Sequence, residues 1–190
     1  QIPISFSMQS SIISTKLYKP SLQPNLVVRE RLLEKLNSGL KCRLILISAP
    51  AGFGKTTIMS EWIAGISLPI AWLSVDRSDN DLKRFISYCT AALQLIKPDF
   101  GSAISAIINS PQQVQDENII TAFINEIIGI KEETVFVLDD YHLIETKAVH
   151  DALILLLEHL PANLHLVIAS RHDPPFPLSK LRVRKQLCEI

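Results

Sequence analysis

Residues 43–57 constrain the fold more than any other stretch of the chain. They read Arg-Leu-Ile-Leu-Ile-Ser-Ala-Pro-Ala-Gly-Phe-Gly-Lys-Thr-Thr. A short continuous apolar run halted by proline and glycine is the pattern of a strand buried on both faces. Lys55–Ala64 then reads as a helix. A strand with no solvated face needs covering layers on both sides, which an α/β domain provides.

The turn between them carries the chemistry. Residues 49–57 fit the pattern GxxxxGK[ST], with Ala49 in place of the first glycine. Glycines at 52 and 54 let the backbone turn so that successive N–H groups face one phosphate. The helix that opens at the loop adds the positive end of its dipole. Lys55 can reach the β- and γ-phosphates, and Thr56 can offer its hydroxyl to Mg²⁺. The candidate nucleotide contacts are therefore Ala51, Gly52, Phe53, Gly54, Lys55, Thr56 and Thr57. ATP or ADP with Mg²⁺ is the expected ligand. Ala49 is tolerable if its backbone angles are ordinary.

The rest of the chain keeps alternating. Arg29–Asn37 has leucines at 32, 33 and 36 and is closed by Ser38-Gly39, which predicts a short amphipathic helix. Further strands are expected at Ile70–Val75, Thr134–Leu138 and Leu164–Ala169, with a fifth beginning in Gln186–Ile190. Helices are expected at Leu82–Ile96, Asn118–Ile128 and Thr146–His159. Lys16–Asn25 reads as an extended lead-in, Lys97–Gln115 as irregular, and Asp173–Pro177 as a proline-rich loop. This alternation predicts a mostly parallel, buried sheet with right-handed crossovers.

At 190 residues, 47% hydrophobic and 20% charged, the chain suits one globular domain with its own core. Residues 1–14 are expected to be a leader, with Met8 a candidate natural start, and 15–190 the domain. The formal net charge is zero, whereas a domain that grips nucleic-acid phosphates usually has a basic excess. Cys42, Cys89 and Cys188 are odd in number and lack CxxC spacing. That argues against a disulfide framework or zinc site and for the reducing cytoplasm. No apolar run is long enough to predict a membrane span, and residues 1–14 lack the positive charge and apolar stretch of a signal peptide. The last expected strand is followed by no glycine, proline or charged tail, so a longer protein is expected.

A second site element is the run Val135-Phe136-Val137-Leu138, which ends in Asp139-Asp140. Paired carboxylates at the carboxyl edge of a parallel sheet lie where ligands bind. Asp139 is the candidate Mg²⁺ ligand, and Asp140 the candidate residue that orients or activates an attacking water. Arg171, just past the Leu164–Ala169 strand, can touch a γ-phosphate; the alternative is a surface arginine paired with Asp173. Arg182 and Arg184 read as a solvated helix face. His142 follows the acidic pair and either sits near the site or, the favoured reading, makes a structural hydrogen bond; His150, His159, His165 and His172 lack metal-ligand spacing. Trp62 and Trp72 read as core. Asp76, Asp79 and Asn80 either approach the site or cap the following helix, with Asn80 or Asp81 favoured as the cap.

Several of these segments together resemble the MalT-like regulators, the large ATP-binding members of the LuxR group. The similar runs are TKLYKP (15–20), VRERL (28–32), SAPAGFGKTT (48–57), AWLSVDRSDND (71–81), VLDDYHLI (137–144) and LHLVIASRHDPPFPLSKLR (164–182). They occur in the family's order and span the chain from about Thr15. The resemblance implies a STAND-class P-loop NTPase of the ASCE type, a relative of the AAA+ ATPases. Its fold would be a three-layer sandwich with strand order 5-1-4-3-2. Arg171 would act as a γ-phosphate sensor, and Val28 and Arg29 would contact adenine, largely through backbone. The family is implied to rest with ADP, exchange it for ATP when an inducer binds, self-associate, activate transcription, and reset by slow hydrolysis. Inducer and DNA would be bound by domains outside this chain. A nucleotide-dependent interaction module without useful turnover is the alternative. A GTPase is disfavoured, because no Asn-Lys-x-Asp motif is present.

Overall fold

The computed structural model describes residues 12–21, 29–110 and 115–190. Val28 and much of the lead-in fall outside them. Seven helices and five strands follow in the order α1 (Glu30–Gly39), β1 (Leu44–Ser48), α2 (Lys55–Ala64), β2 (Ile70–Ser74), α3 (Leu82–Gln94), α4 (Ser102–Ile108), α5 (Asp116–Ile128), β3 (Thr134–Asp139), α6 (Lys147–His159), β4 (Leu164–Ser170), α7 (Leu178–Val183) and β5 (Leu187–Glu189) among the described residues. Short 3₁₀ turns occupy Ser14–Leu17, Arg77–Asn80 and Tyr141–Leu143.

The strands form one sheet in the order β2-β3-β4-β1-β5, and every pairing is parallel. This is the 5-1-4-3-2 order that the resemblance implies. Alternate strand residues feed two cores, as the two-residue period of a strand requires. Leu44, Leu46, Leu73, Phe136, Leu138, Leu166 and Ile168 pack beneath α3, α5 and α6. Ile45, Ile47, Trp72, Val135, Val137 and Val167 pack beneath α1 and α2, with Trp62 and Met59. Both tryptophans are core, as expected. Each fully buried Leu, Ile or Phe contributes about 1.5–3 kcal/mol relative to exposure, so both faces hold the sheet firmly.

Three expectations change. The stretch 97–115 is not wholly irregular, because it contains α4. Gly101 enters that helix at φ 88°, in the left-handed region. The Glu126 carboxylate, from α5, accepts from the Gly101 and Ala103 N–H groups. The cap is thus supplied from elsewhere in the chain, so no local cap marks the helix in the sequence. The lead-in begins as a 3₁₀ turn rather than extended chain. Within that turn the Lys16 ammonium is buried against the Asp79 carboxylate and lies 3.0 Å from Asp76. Asp79 is therefore neither a site residue nor a cap for α3. Asp81 is that cap, accepting from the Arg84 N–H at 2.8 Å. Asn80 instead bridges to the loop after β3: its side chain accepts from the N–H groups of Glu145 and Thr146 and donates to the Leu143 carbonyl.

Candidate functional site

β1, β3 and β4 deliver the candidate residues to one edge, the carboxyl end of the sheet. β1 ends at Ser48, and the Ala49 N–H donates to the Ser170 carbonyl at the end of β4 (3.2 Å). Ala49 has an ordinary negative φ, whereas Gly52 and Gly54 sit at φ 83° and 77°. L side chains are strained at those angles, so the glycines shape the loop and Ala49 does not disturb it. The Ile58 N–H donates to the Gly54 carbonyl at 2.9 Å and starts α2 at once. The helix's free N–H groups therefore face the loop.

Lys55 is buried and folds back, donating to the carbonyls of Ala49 (2.6 Å) and Pro50 (3.0 Å). Its charge is thereby held inside the loop. Arg29 reaches the same loop from the start of α1 and donates to the Phe53 carbonyl (3.3 Å). The structure thus brings Arg29 to the loop by its side chain; Val28 lies outside the described residues. Ala51, Gly52 and Phe53 are exposed at the loop tip, and Thr56 and Thr57 are half-buried in the first turn of α2.

Asp139 is the last residue of β3, one further than the predicted strand, and is only 3% exposed. Its Oδ2 accepts from the Thr56 hydroxyl at 2.8 Å, and its Oδ1 accepts from the Asp140 N–H at 2.9 Å. Burial, above all, raises its pKa; the Asp140 charge adds to this, while the Thr56 hydrogen bond and Lys55 oppose it. A carboxylate and a hydroxyl held together at a buried strand end form a hard-oxygen donor pair that suits Mg²⁺. Asp140 points elsewhere. It sits at φ 57° just before the Tyr141–Leu143 turn, its backbone carbonyl accepts from the Leu143 N–H at 3.1 Å, and its side chain is half exposed. Non-glycine residues in that conformation cluster at functional sites.

His142 lies beside the acidic pair, and the favoured structural hydrogen bond is not made by its Nδ1. Its side chain is 8% exposed and its Nδ1 lies 3.8 Å from Asp140 Oδ1. That buried nitrogen has no hydrogen-bond partner among the described residues. Burial, then the positive charge of Arg171, lowers the His142 pKa; His172 and Lys55 also lower it, and Asp140 opposes them. Arg171 is exposed just past β4, and no ion pair joins it to Asp173 among the described residues. The Ser170 hydroxyl, fully buried at the same edge, also lacks a partner. Two orphaned polar atoms, a folded lysine and an oxygen pair thus all lie along the carboxyl edge of the sheet. Position two after Asp140 was the only hint of His142 in the sequence.

This fold and edge define a P-loop nucleotide-binding domain. No protein-family model matches the sequence. Over 179 residues, 94% of the chain, it is 40% identical to the HTH-type transcriptional regulator MalT of Klebsiella pneumoniae, and equally to that of Yersinia pestis. The chain spans about a fifth (20%) of the length of those relatives. Among solved structures it is similar to the Signal Transduction ATPase with Numerous Domains with a tetratricopeptide repeat sensor from Pyrococcus horikoshii. The TM-score is 0.63 at 15% identity, covering 90% of this chain and 24% of that one. It is also similar to Cdc6p from Pyrobaculum aerophilum, with TM-score 0.59 at 12% identity, covering 94% and 49%. The structural matches show the fold, and the sequence matches show that this domain is a homologue of a segment of the MalT regulators. Among the described residues, no helix is long and apolar enough to cross a membrane.

Proposed function

We propose that this domain binds ATP and ADP with Mg²⁺ and acts as the nucleotide switch of a signal-responsive transcriptional regulator in the cytoplasm. One observation carries this reading: the Thr56 hydroxyl on Asp139 at 2.8 Å, which joins the loop helix to the acidic strand. In a P-loop site these two residues hold the ion, and Lys55 turns from Ala49 and Pro50 toward the phosphates. When bound, Mg²⁺ supplies positive charge that neutralises the phosphate oxygens. Val28 and Arg29 contact the adenine. Asp140 orients the attacking water and takes its proton, giving slow hydrolysis that returns the switch to ADP. Arg171 reads the γ-phosphate. In the full-length protein the ATP state self-associates, and inducer and DNA bind through other parts; the relatives' description as HTH-type transcriptional regulators supports the DNA-binding part.

The γ-phosphate reading is tested with Arg171→Ala. A charge-assisted hydrogen bond made only to ATP contributes about 1.5–3 kcal/mol. ATP affinity is expected to fall about tenfold, with ADP affinity within about twofold of the parent. Titration calorimetry with both nucleotides checks this. An equal loss for ATP and ADP would show that Arg171 reads something other than the γ-phosphate.

A further inference from the structure

Three rings lie between the two arms of the proposed site. Tyr141 directly follows Asp140 and is 1% exposed. Its ring centroid lies 5.6 Å from that of His150, on α6, and 5.6 Å from that of Phe176. His150 and Phe176 close the triangle at 6.3 Å. Phe176 is buried and follows Arg171 in the 171–177 loop. That loop is short and pinned: the Phe176 N–H donates to the Pro174 carbonyl, and the Leu178 N–H to the Phe176 carbonyl, each at 2.7 Å. A second contact joins the same two segments, the His142 and His172 rings at 6.4 Å.

The triangle is polar as well as packed. The Tyr141 hydroxyl and His150 Nδ1 are 2.7 Å apart. Burial lowers the His150 pKa and raises that of Tyr141. The two atoms are within hydrogen-bond distance, and the His150 tautomer decides which of them donates. Edge-on and tilted aromatic contacts plus a part-buried hydrogen bond hold a fixed geometry better than aliphatic packing.

We infer that Tyr141, His150 and Phe176 are positioning residues that lock the Asp140 turn against the Arg171 loop. Turnover and γ-phosphate discrimination then depend on one packing unit. This inference rests on the ATP-switch reading above. None of the three rings needs to touch nucleotide; each acts through the residue it holds. A small change in the clamp moves Asp140 and Arg171 relative to each other, and misplacement of about 1 Å is enough to cost rate.

The test compares Tyr141→Phe and Phe176→Leu with Leu157→Ala. The first keeps the ring and removes only the hydrogen bond. Leu157 is buried in the same core but lies at the far end of α6, where its carbonyl accepts from Arg43. Measured on the full-length protein are kcat and KM for ATP, the ATP and ADP dissociation constants, and the urea unfolding midpoint. Both clamp variants are expected to lower kcat about fivefold or more and to shrink the ATP-over-ADP preference about threefold, with ADP affinity unchanged. Leu157→Ala is expected to lose at least as much stability while leaving kcat and preference at parent values. Clamp variants that fold and match the parent on both readouts overturn the inference, as does an equal loss in Leu157→Ala. A parent that binds neither nucleotide overturns the switch reading itself and the clamp with it. Binding by the parent, together with an effective Arg171→Ala, isolates a failure to the clamp alone.

Discussion

Replacing Asp140 by Asn is expected to cut ATP turnover by about 100-fold or more, with ATP and ADP affinity within about threefold of the parent. The change is isosteric and removes the base while keeping an acceptor. Asn adopts the left-handed conformation as readily as Asp, so the φ of 57° at this position is preserved. The hydrogen bond from the residue 140 N–H to Asp139 Oδ1 is made by backbone and survives. The Thr56–Asp139 pair is untouched, so ion and phosphate binding stay intact. Steady-state phosphate release and nucleotide titration separate the two effects. Equal turnover in variant and parent would remove Asp140 from the mechanism. No turnover above background in the parent would favour the reading in which nucleotide binding alone drives an interaction.

The largest stability effect is expected at Lys16. Its side chain is 9% exposed and that of Asp79 is 0%. The ammonium also lies over the Tyr88 ring, 3.9 Å from its centroid. Asp79 keeps few other partners: the Asp76 N–H donates to Oδ2 at 2.9 Å, and Arg84 Nε is 3.6 Å from Oδ1. Breaking a buried pair by removing one member strands the other charge, at a cost of about 3–5 kcal/mol. Lys16→Met is therefore expected to lose that much in urea unfolding, with the slope unchanged. Pairing it with Asp79→Asn removes the stranded charge and keeps the Asp76 contact. The double variant is expected to recover more than half of the loss. A loss below about 1 kcal/mol in the single variant would mean that water reaches Asp79 freely.

What the sequence revealed follows from how local each cause is. The loop strand, the loop and α2 were legible because a buried run, two glycines and a lysine lie within fifteen consecutive residues. The helix bounds Lys55–Ala64 agree with the structure. Asp139 and Asp140 were legible because a charge pair ending an apolar run stands out. The strand order came from the family resemblance, since strand spacing alone does not set it. What was missed depends on distant partners. Glu126 caps α4 from 25 residues away, and Lys16 meets Asp79 across 63. Asn80 resembled a cap but spends its amide on residues 143–146. His142 resembled a hydrogen-bonded core histidine, and only its orphaned nitrogen beside Asp140 shows otherwise.

In the proposed switch, the loop at 49–57 holds a nucleoside triphosphate through Lys55. The direct measurement is titration of ATP and ADP, with Mg²⁺, into the parent and into Lys55→Ala, alongside the unfolding midpoint of each. Saturable binding of both nucleotides to the parent is expected, with at least a tenfold loss, about 1.4 kcal/mol or more, in a variant that stays folded. Unchanged ATP and ADP affinity in folded Lys55→Ala would contradict this role of Lys55.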